Sequence, residues 1–199
     1  MQAYPGISPI AWWNDDLKEL SEEISLGECL RQCRAAGFLG VENGRRFPQT
    51  PAGLLPVLAT AGLRICGGWF SGRLLDGDLE EEKDRIFPQL ALFREAGAPC
   101  MTYGETAGSI QGLRARPIAT KRVLSEDEMR SYGRRLTAFA EWCAGEGMPL
   151  SYHHHMGAVV QTGPEIDALL RHSGPALPLL YDTGHLVLAG ADPLEILDR

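Results

Sequence analysis

Residues 151–162 read SYHHHMGAVVQT, so three of the chain's five histidines stand side by side. A later stretch, LLYDTGHL, adds Asp182 and His185. Imidazole is the side chain that binds transition metals and carries protons near neutral pH, and a carboxylate beside it extends both abilities. Along a strand, alternate residues share a face. Leu150, Tyr152 and His154 therefore lie on one side, and Ser151, His153 and His155 on the other. The apolar pair should pack against helices, which turns His153 and His155 the opposite way as a pair able to serve one ion or one substrate. His154 then points outward, as a solvated or supporting residue. Asp182 closes an apolar run, where a bare carboxylate is unfavourable unless it meets a cation or a donor; capping the D-T-G turn is the alternative. His185, past that turn, could donate to a carboxylate that touches the ion. Mixed imidazole and carboxylate donors suit Mn, Co, Fe or Zn better than Mg or Ca.

Other polar residues also end apolar runs. Glu42 (FLGVENG) and Glu105 (PCMTYGE) are candidates for proton transfer or for holding substrate hydroxyls, with pairing to Arg45, Arg46 or Arg73 as the structural alternative. In WWNDD, Trp12 or Trp13 could stack on a sugar-like ring while Asn14 and Asp15 bind its hydroxyls, or the segment is an ordinary turn. Trp69 ends LRICGGWF. The acidic run Asp78 to Glu82 reads as a solvated helix start favoured by the helix dipole. Five cysteines form no C-x-x-C pair. Cys29 and Cys33, one helical turn apart, read as small core residues.

These residues need a scaffold that brings them together. PGISPIAW, FLGVENG, LRICGGWF, PCMTYGE, PLSYHHH and LPLLYDTGH read as strands. Between them lie helical segments: SLGECLRQCRAAG, TPAGLLPVLATAG, DLEEEKDRIFPQLALFREAG, SEDEMRSYGRRLTAFAEWCAGEG, GPEIDALLRHSG and DPLEILDR. Ser125 with Glu128 forms a capping box, and Gly37, Gly62 and Gly97 close helices that run straight into strands. Strict βα alternation implies a parallel sheet. No G-x-G-x-x-G follows the first strand, which weakens a dinucleotide-binding reading. A (β/α)8 barrel of the TIM type focuses every strand's C-terminal end on one mouth, and polar residues cluster at those ends. The expectation is an α/β chain whose residues 1–199 form a single, partial TIM-barrel domain. A full barrel takes about 250 residues, so the chain should stop after about six βα units.

With 44% apolar residues and a net charge of −7, the chain can bury a core but offers no basic face to nucleic acid or anionic lipid. No apolar run reaches the roughly 18–20 residues of a membrane helix, and the start lacks signal-peptide features. A cytoplasmic protein is expected.

Taken together, PI-x-W-x-NDD, GF-x-GVE-x-G-x-x-FP, GWFSG, YGET-x-GSIQG, YHHHMG-x-VVQT and DTGHL-x-x-AG-x-DP resemble the inosose dehydratase family. That family sits among the sugar isomerase and endonuclease IV-like barrels. The resemblance implies loss of water from 2-keto-myo-inositol in inositol catabolism, using Mn or Co, and it brings glutathione as a further cofactor. It matches Asp182 to the superfamily's aspartate ligand and His153 to a position usually held by a glutamate ligand. It leaves His155, Glu105 and His185 for proton transfer, and Trp12, Asn14, Asp15, Glu42 and Trp69 for a cyclitol or sugar substrate. In the family a seventh strand with a histidine and an eighth with a glutamate complete the metal site, and neither is found here. Four readings therefore stand: the dehydratase, a metal-dependent ketose isomerase or epimerase, an endonuclease, and a non-catalytic piece. Unpaired sheet edges in such a piece would favour association with another chain, and a homo-oligomer is one outcome.

Overall fold

A computed structural model of the chain describes residues 3–14 and 23–198. Its strands are β1 (Gly6–Ile7), β2 (Gly40–Asn43), β3 (Arg64–Gly72), β4 (Met101–Glu105) and β5 (Leu150–Tyr152), joined in the order β1-β2-β3-β4-β5. Helices α1 (Leu26–Ala35), α2 (Pro51–Ala61), α3 (Leu79–Ala96), α4 (Glu126–Gly145), α5 (Gly163–His172), α6 (Thr183–Leu188) and α7 (Pro193–Leu197) follow the strands. This is the expected parallel α/β alternation, and the barrel is not closed among the described residues. The chain forms two compact units, Met1–Trp69 with Ile86–Met101, and Phe70–Arg85 with Thr102–Arg199.

In the first unit, β1 pairs parallel with β2 and β2 with β3, in register Gly6↔Gly40 and Gly40↔Arg64. A Cβ on Gly6 would come within 2.7 Å of Cys66 Sγ, and one on Gly40 within 2.9 Å of Cys66 Cβ. The Cys66 side chain thus fills the room that two glycines leave. Helix α1 starts where Ser25 Oγ accepts from the Glu28 N–H, and α2 where Thr50 Oγ1 accepts from the Gly53 N–H. Gly62, at φ 65°, ends α2 in the left-handed conformation that glycine adopts without a steric penalty. Cys29 and Cys33 are fully buried, as expected. The first strand is shorter than its sequence suggested. Pro9 presets a helical φ and has no N–H to donate, so the chain turns at Pro9–Ala11, with Ser8 as its cap.

In the second unit the core centres on Tyr103. Its ring meets Phe70, Phe139 and Tyr152 at centroid separations of 6.0, 5.7 and 6.2 Å. Gly72 makes room for it, since a Cβ there would fall 2.0 Å from Tyr103 Cζ. Helix α4 opens on the complete capping box of Ser125 and Glu128. The acidic run is not uniformly solvated as expected. Glu82 is 2% exposed, and it accepts from the Arg73 N–H at 2.7 Å and the Tyr103 hydroxyl at 3.2 Å while pairing with Arg85. The spacing of Glu82 along α3 turns it inward while Asp78 caps the helix by accepting from the Glu80 N–H. The sixth expected strand is reduced to one parallel bridge, Tyr152↔Leu179. Its backbone exchanges only Tyr152 N–H to Pro178 O and Leu180 N–H to Tyr152 O. Pro178 has no N–H, and the D-T-G-H segment winds directly into α6.

The loops after β4 and β5 are stitched to each other. Ile110 N–H donates to Gly157 O at 3.0 Å. Gly157 has φ +79°, and a Cβ on it would sit 3.0 Å from the Gln111 nitrogen. Lys121 reaches from the first loop to Glu165 at the start of α5 with N···O 2.5 Å, both side chains largely buried.

Candidate metal centre

Strand β5 ends at Tyr152, and the histidines follow as the chain leaves the sheet. The His153 N–H donates to Tyr103 O and the His155 N–H to Val160 O, which fixes the backbone on both sides of the run. From the other segment, Asp182 is the N-cap of α6: its Oδ1 accepts from the His185 N–H at 2.8 Å. The second oxygen, Oδ2, lies 3.2 Å from His153 Nε2. Capping and clustering, weighed above as alternatives for Asp182, use its two oxygens separately. The rings pack closely, with centroids 5.3 Å apart for His153 and His185, 5.6 Å for His153 and His155, and 4.1 Å for His155 and His185.

One donor atom from each of His153, Asp182 and His185 lies within 4.8 Å of the others. Two ligands of one transition ion, at about 2 Å per bond, are at most about 4 Å apart, so small side-chain shifts would bring these three onto one ion. Among the described residues, buried His185 Nδ1 has no hydrogen-bond partner, as a group meant for an ion would. Burial disfavours the charged ring and pushes His153 down to about 4, although Asp182 pulls the other way. His154 is likewise held at about 4 by burial, against the pull of Asp182, and burial lowers His185. For Asp182, burial opposes ionisation, yet the His185 N–H and the nearby rings outweigh it and hold the carboxyl below its usual value. At neutral pH the cluster is neutral imidazole beside carboxylate, the form that binds a divalent ion. These residues fit a metal.

The remaining candidates are described within their own units. Glu105 is 1% exposed, and its carboxylate accepts from the Leu75 N–H, the Ala107 N–H and the Tyr103 hydroxyl, none of them in the histidine cluster. Burial raises its pKa despite those donors. Trp12, Asn14, Glu42 and Trp69 belong to the first unit. There Trp12 Nε1 donates to Gln32 Oε1 at 2.7 Å, while Glu42 and Trp69 are half-buried on β2 and β3. Trp13 is core, edge-on to Phe47 with Arg46 over its ring. Asp15 lies outside the described residues.

Of the two readings of His154, the solvated one does not hold, while the supporting one stays open. The residue is 0% exposed, not solvated, with its ring centroid 6.1 Å from that of His153 and 6.3 Å from that of His185. Alternation ceases to apply once the strand ends at Tyr152, and no local signal marks that point.

No family model matches the chain. It is 40% identical over 194 residues to the rhizopine catabolism protein MocC of Rhizobium meliloti, covering 97% of this chain and 59% of that protein. It is 38% identical over 196 residues to an inosose dehydratase of Geobacillus thermodenitrificans, covering 98% and 66%. The chain thus spans less than two thirds of the length of these curated relatives. Among solved structures, a probable 3-DHS dehydratase, AsbF, from Bacillus anthracis superposes with TM-score 0.70 at 19% identity, over 98% of this chain and 69% of that one. A xylose isomerase-like TIM-barrel protein from Mycobacterium smegmatis, in complex with magnesium, superposes with TM-score 0.66 at 17% identity, over 98% and 71%. The chain is thus similar along nearly all its residues, at 37–40% identity, to MocC and to inosose dehydratases, and its fold is the one that TIM-barrel proteins share.

Proposed function

We propose that the protein is a hydro-lyase acting on 2-keto-myo-inositol, a polyhydroxylated cyclic ketone, in inositol catabolism. The observation that carries this reading is the meeting of His153, Asp182 and His185 in a chain homologous to inosose dehydratases. Those three residues would hold a divalent ion: two imidazoles and a carboxylate suit Mn, Co, Fe or Zn, and the resemblance to the dehydratases favours Mn or Co among them. Such an ion supplies Lewis-acid polarisation of a ketone oxygen and stabilises charge that develops there.

The rest of the chemistry falls to the chain's own groups. Dehydration removes a proton α to the ketone and protonates a departing β-hydroxyl. We assign proton movement to His155, whose ring lies against that of His185 and whose backbone is fixed by Val160 O. Glu105, with its oxygens committed to the turn residues Leu75 and Ala107, supports the loops around β4. Asp182 orients the start of α6, and so His185, through its bond to the His185 N–H.

The test is to strip the chain with chelator, restore Mn2+ or Co2+, and follow loss of one water from 2-keto-myo-inositol by mass spectrometry, with simple ketoses in parallel. Dehydration should depend on metal, and Asp182→Ala should lower it by at least the about 10- to 100-fold that follows loss of one group from a metal centre. Turnover of ketoses without any dehydration would replace this reading with isomerase chemistry, and unchanged activity in Asp182→Ala would remove the carboxylate from its role.

A further inference from the structure

His154 is a fully buried histidine to which the proposed chemistry gives no part. Among the described residues, both of its ring nitrogens are buried without a hydrogen-bond partner. The same is true of Nδ1 on neighbouring His185. An imidazole always has at least one N–H to donate and, when neutral, one lone pair to offer. Leaving both unanswered in the interior is unfavourable, and an apolar residue of similar size would fill the same space without that penalty. The buried carboxylates of this unit, by contrast, are answered: Glu105 by two backbone N–H groups and Glu82 by Arg73 and Tyr103. The His154 ring, moreover, is about equally distant from the rings of His153 and His185, at 6.1 and 6.3 Å.

We infer that His154 is a positioning residue of the metal centre, hydrogen-bonding the shell of an ion held by His153, Asp182 and His185 and so fixing its arrangement. The inference rests on the reading of that cluster as a metal site. It adds a fourth side chain to the two imidazoles and the carboxylate, one that acts on the ion through the groups around it and not as a ligand. Donor atoms of His153, Asp182 and His185 lie within reach of a common ion, and His154 is not among them.

The experiment titrates the metal-stripped chain with Co2+ and Mn2+ by calorimetry and records the visible absorption of the Co2+ form. It compares the unmodified chain with His154→Leu and His154→Gln. Leu keeps the volume and removes both polar atoms, whereas Gln retains a donor and an acceptor. The expected result is a 10- to 100-fold weaker Co2+ affinity in His154→Leu, about the size seen on losing outer partners of metal ligands, and recovery of most of it in His154→Gln. The Co2+ spectrum should keep the same coordination class throughout. Should His154→Leu fail to fold, His154→Asn, polar but shorter, makes the same comparison with His154→Gln and should bind Co2+ more weakly. Equal affinity in His154→Leu and the unmodified chain overturns the inference, whatever happens to stability. Equal losses in Leu and Gln with a changed Co2+ spectrum also overturn it, by making His154 a ligand. Failure of the unmodified chain to bind either ion refutes the metal reading itself. Normal ion binding without dehydration refutes only the reaction.

Discussion

Burial holds the His153 and His154 rings at pKa values of about 4, against an ordinary 6.5. Below pH 6.5 the unfolded chain takes up protons that the folded chain refuses, so folding stability must fall with pH from there down to about 4. The linkage relation puts the loss at roughly 2 kcal/mol per imidazole at pH 5. The urea midpoint of the metal-free protein should therefore drop between pH 7 and pH 5. A midpoint constant over that range would mean that these rings are protonated without resistance. Metal affinity of the folded chain should fall only as the pH nears the His153 value of about 4, where protons begin to compete with the ion for that ring. Asp182 is the one carboxylate of the cluster, and its two oxygens divide the work: one closes the first turn of α6, and the other faces His153.

At the level of elements, the packing of β3 against β4 turns on Gly72. A methyl group there would overlap the Tyr103 ring, which is fully buried between Phe70, Phe139 and Tyr152. Gly72→Ala should cost about 1–3 kcal/mol, the usual range for overpacking, visible as a lower thermal midpoint. No shift would show that Tyr103 has another place to go. The helices and their glycine-closed ends were readable in the sequence, because capping residues and left-handed turns are local signals: Ser25, Thr50, Ser125 and Gly62 all act as their types suggest. Pairing of His153 with Asp182 was readable too, from the tendency of parallel strand ends to converge. What escaped depends on partners far along the chain. Glu82 looks like any acid at a helix start until Arg73 and Tyr103 meet it. The strand expected around Leu179 shrinks to a bridge because Pro178 has no N–H to donate to a ladder. The burial of His154 follows from where β5 stops.

For the molecule as a whole, the formal charge of −7 at pH 7 sets what it avoids. Proteins that hold duplex DNA through phosphates do so, even without sequence preference, at Kd values of about 10⁻⁴–10⁻⁶ M in physiological salt. This chain should show no retention of duplex DNA in a mobility-shift assay at micromolar concentration. A salt-sensitive shift there would reopen the nuclease reading. Among the described residues no helix is long and apolar enough to cross a membrane.

The seam between Gln111 and Gly157 bears on how such a protein can be re-engineered. Because one loop's backbone occupies the space where the other's side chain would stand, neither can be swapped as a separate cassette. Libraries that randomise the segment after β4 should keep residue 157 as glycine, and a transplant of the histidine segment into another scaffold should carry both loops together.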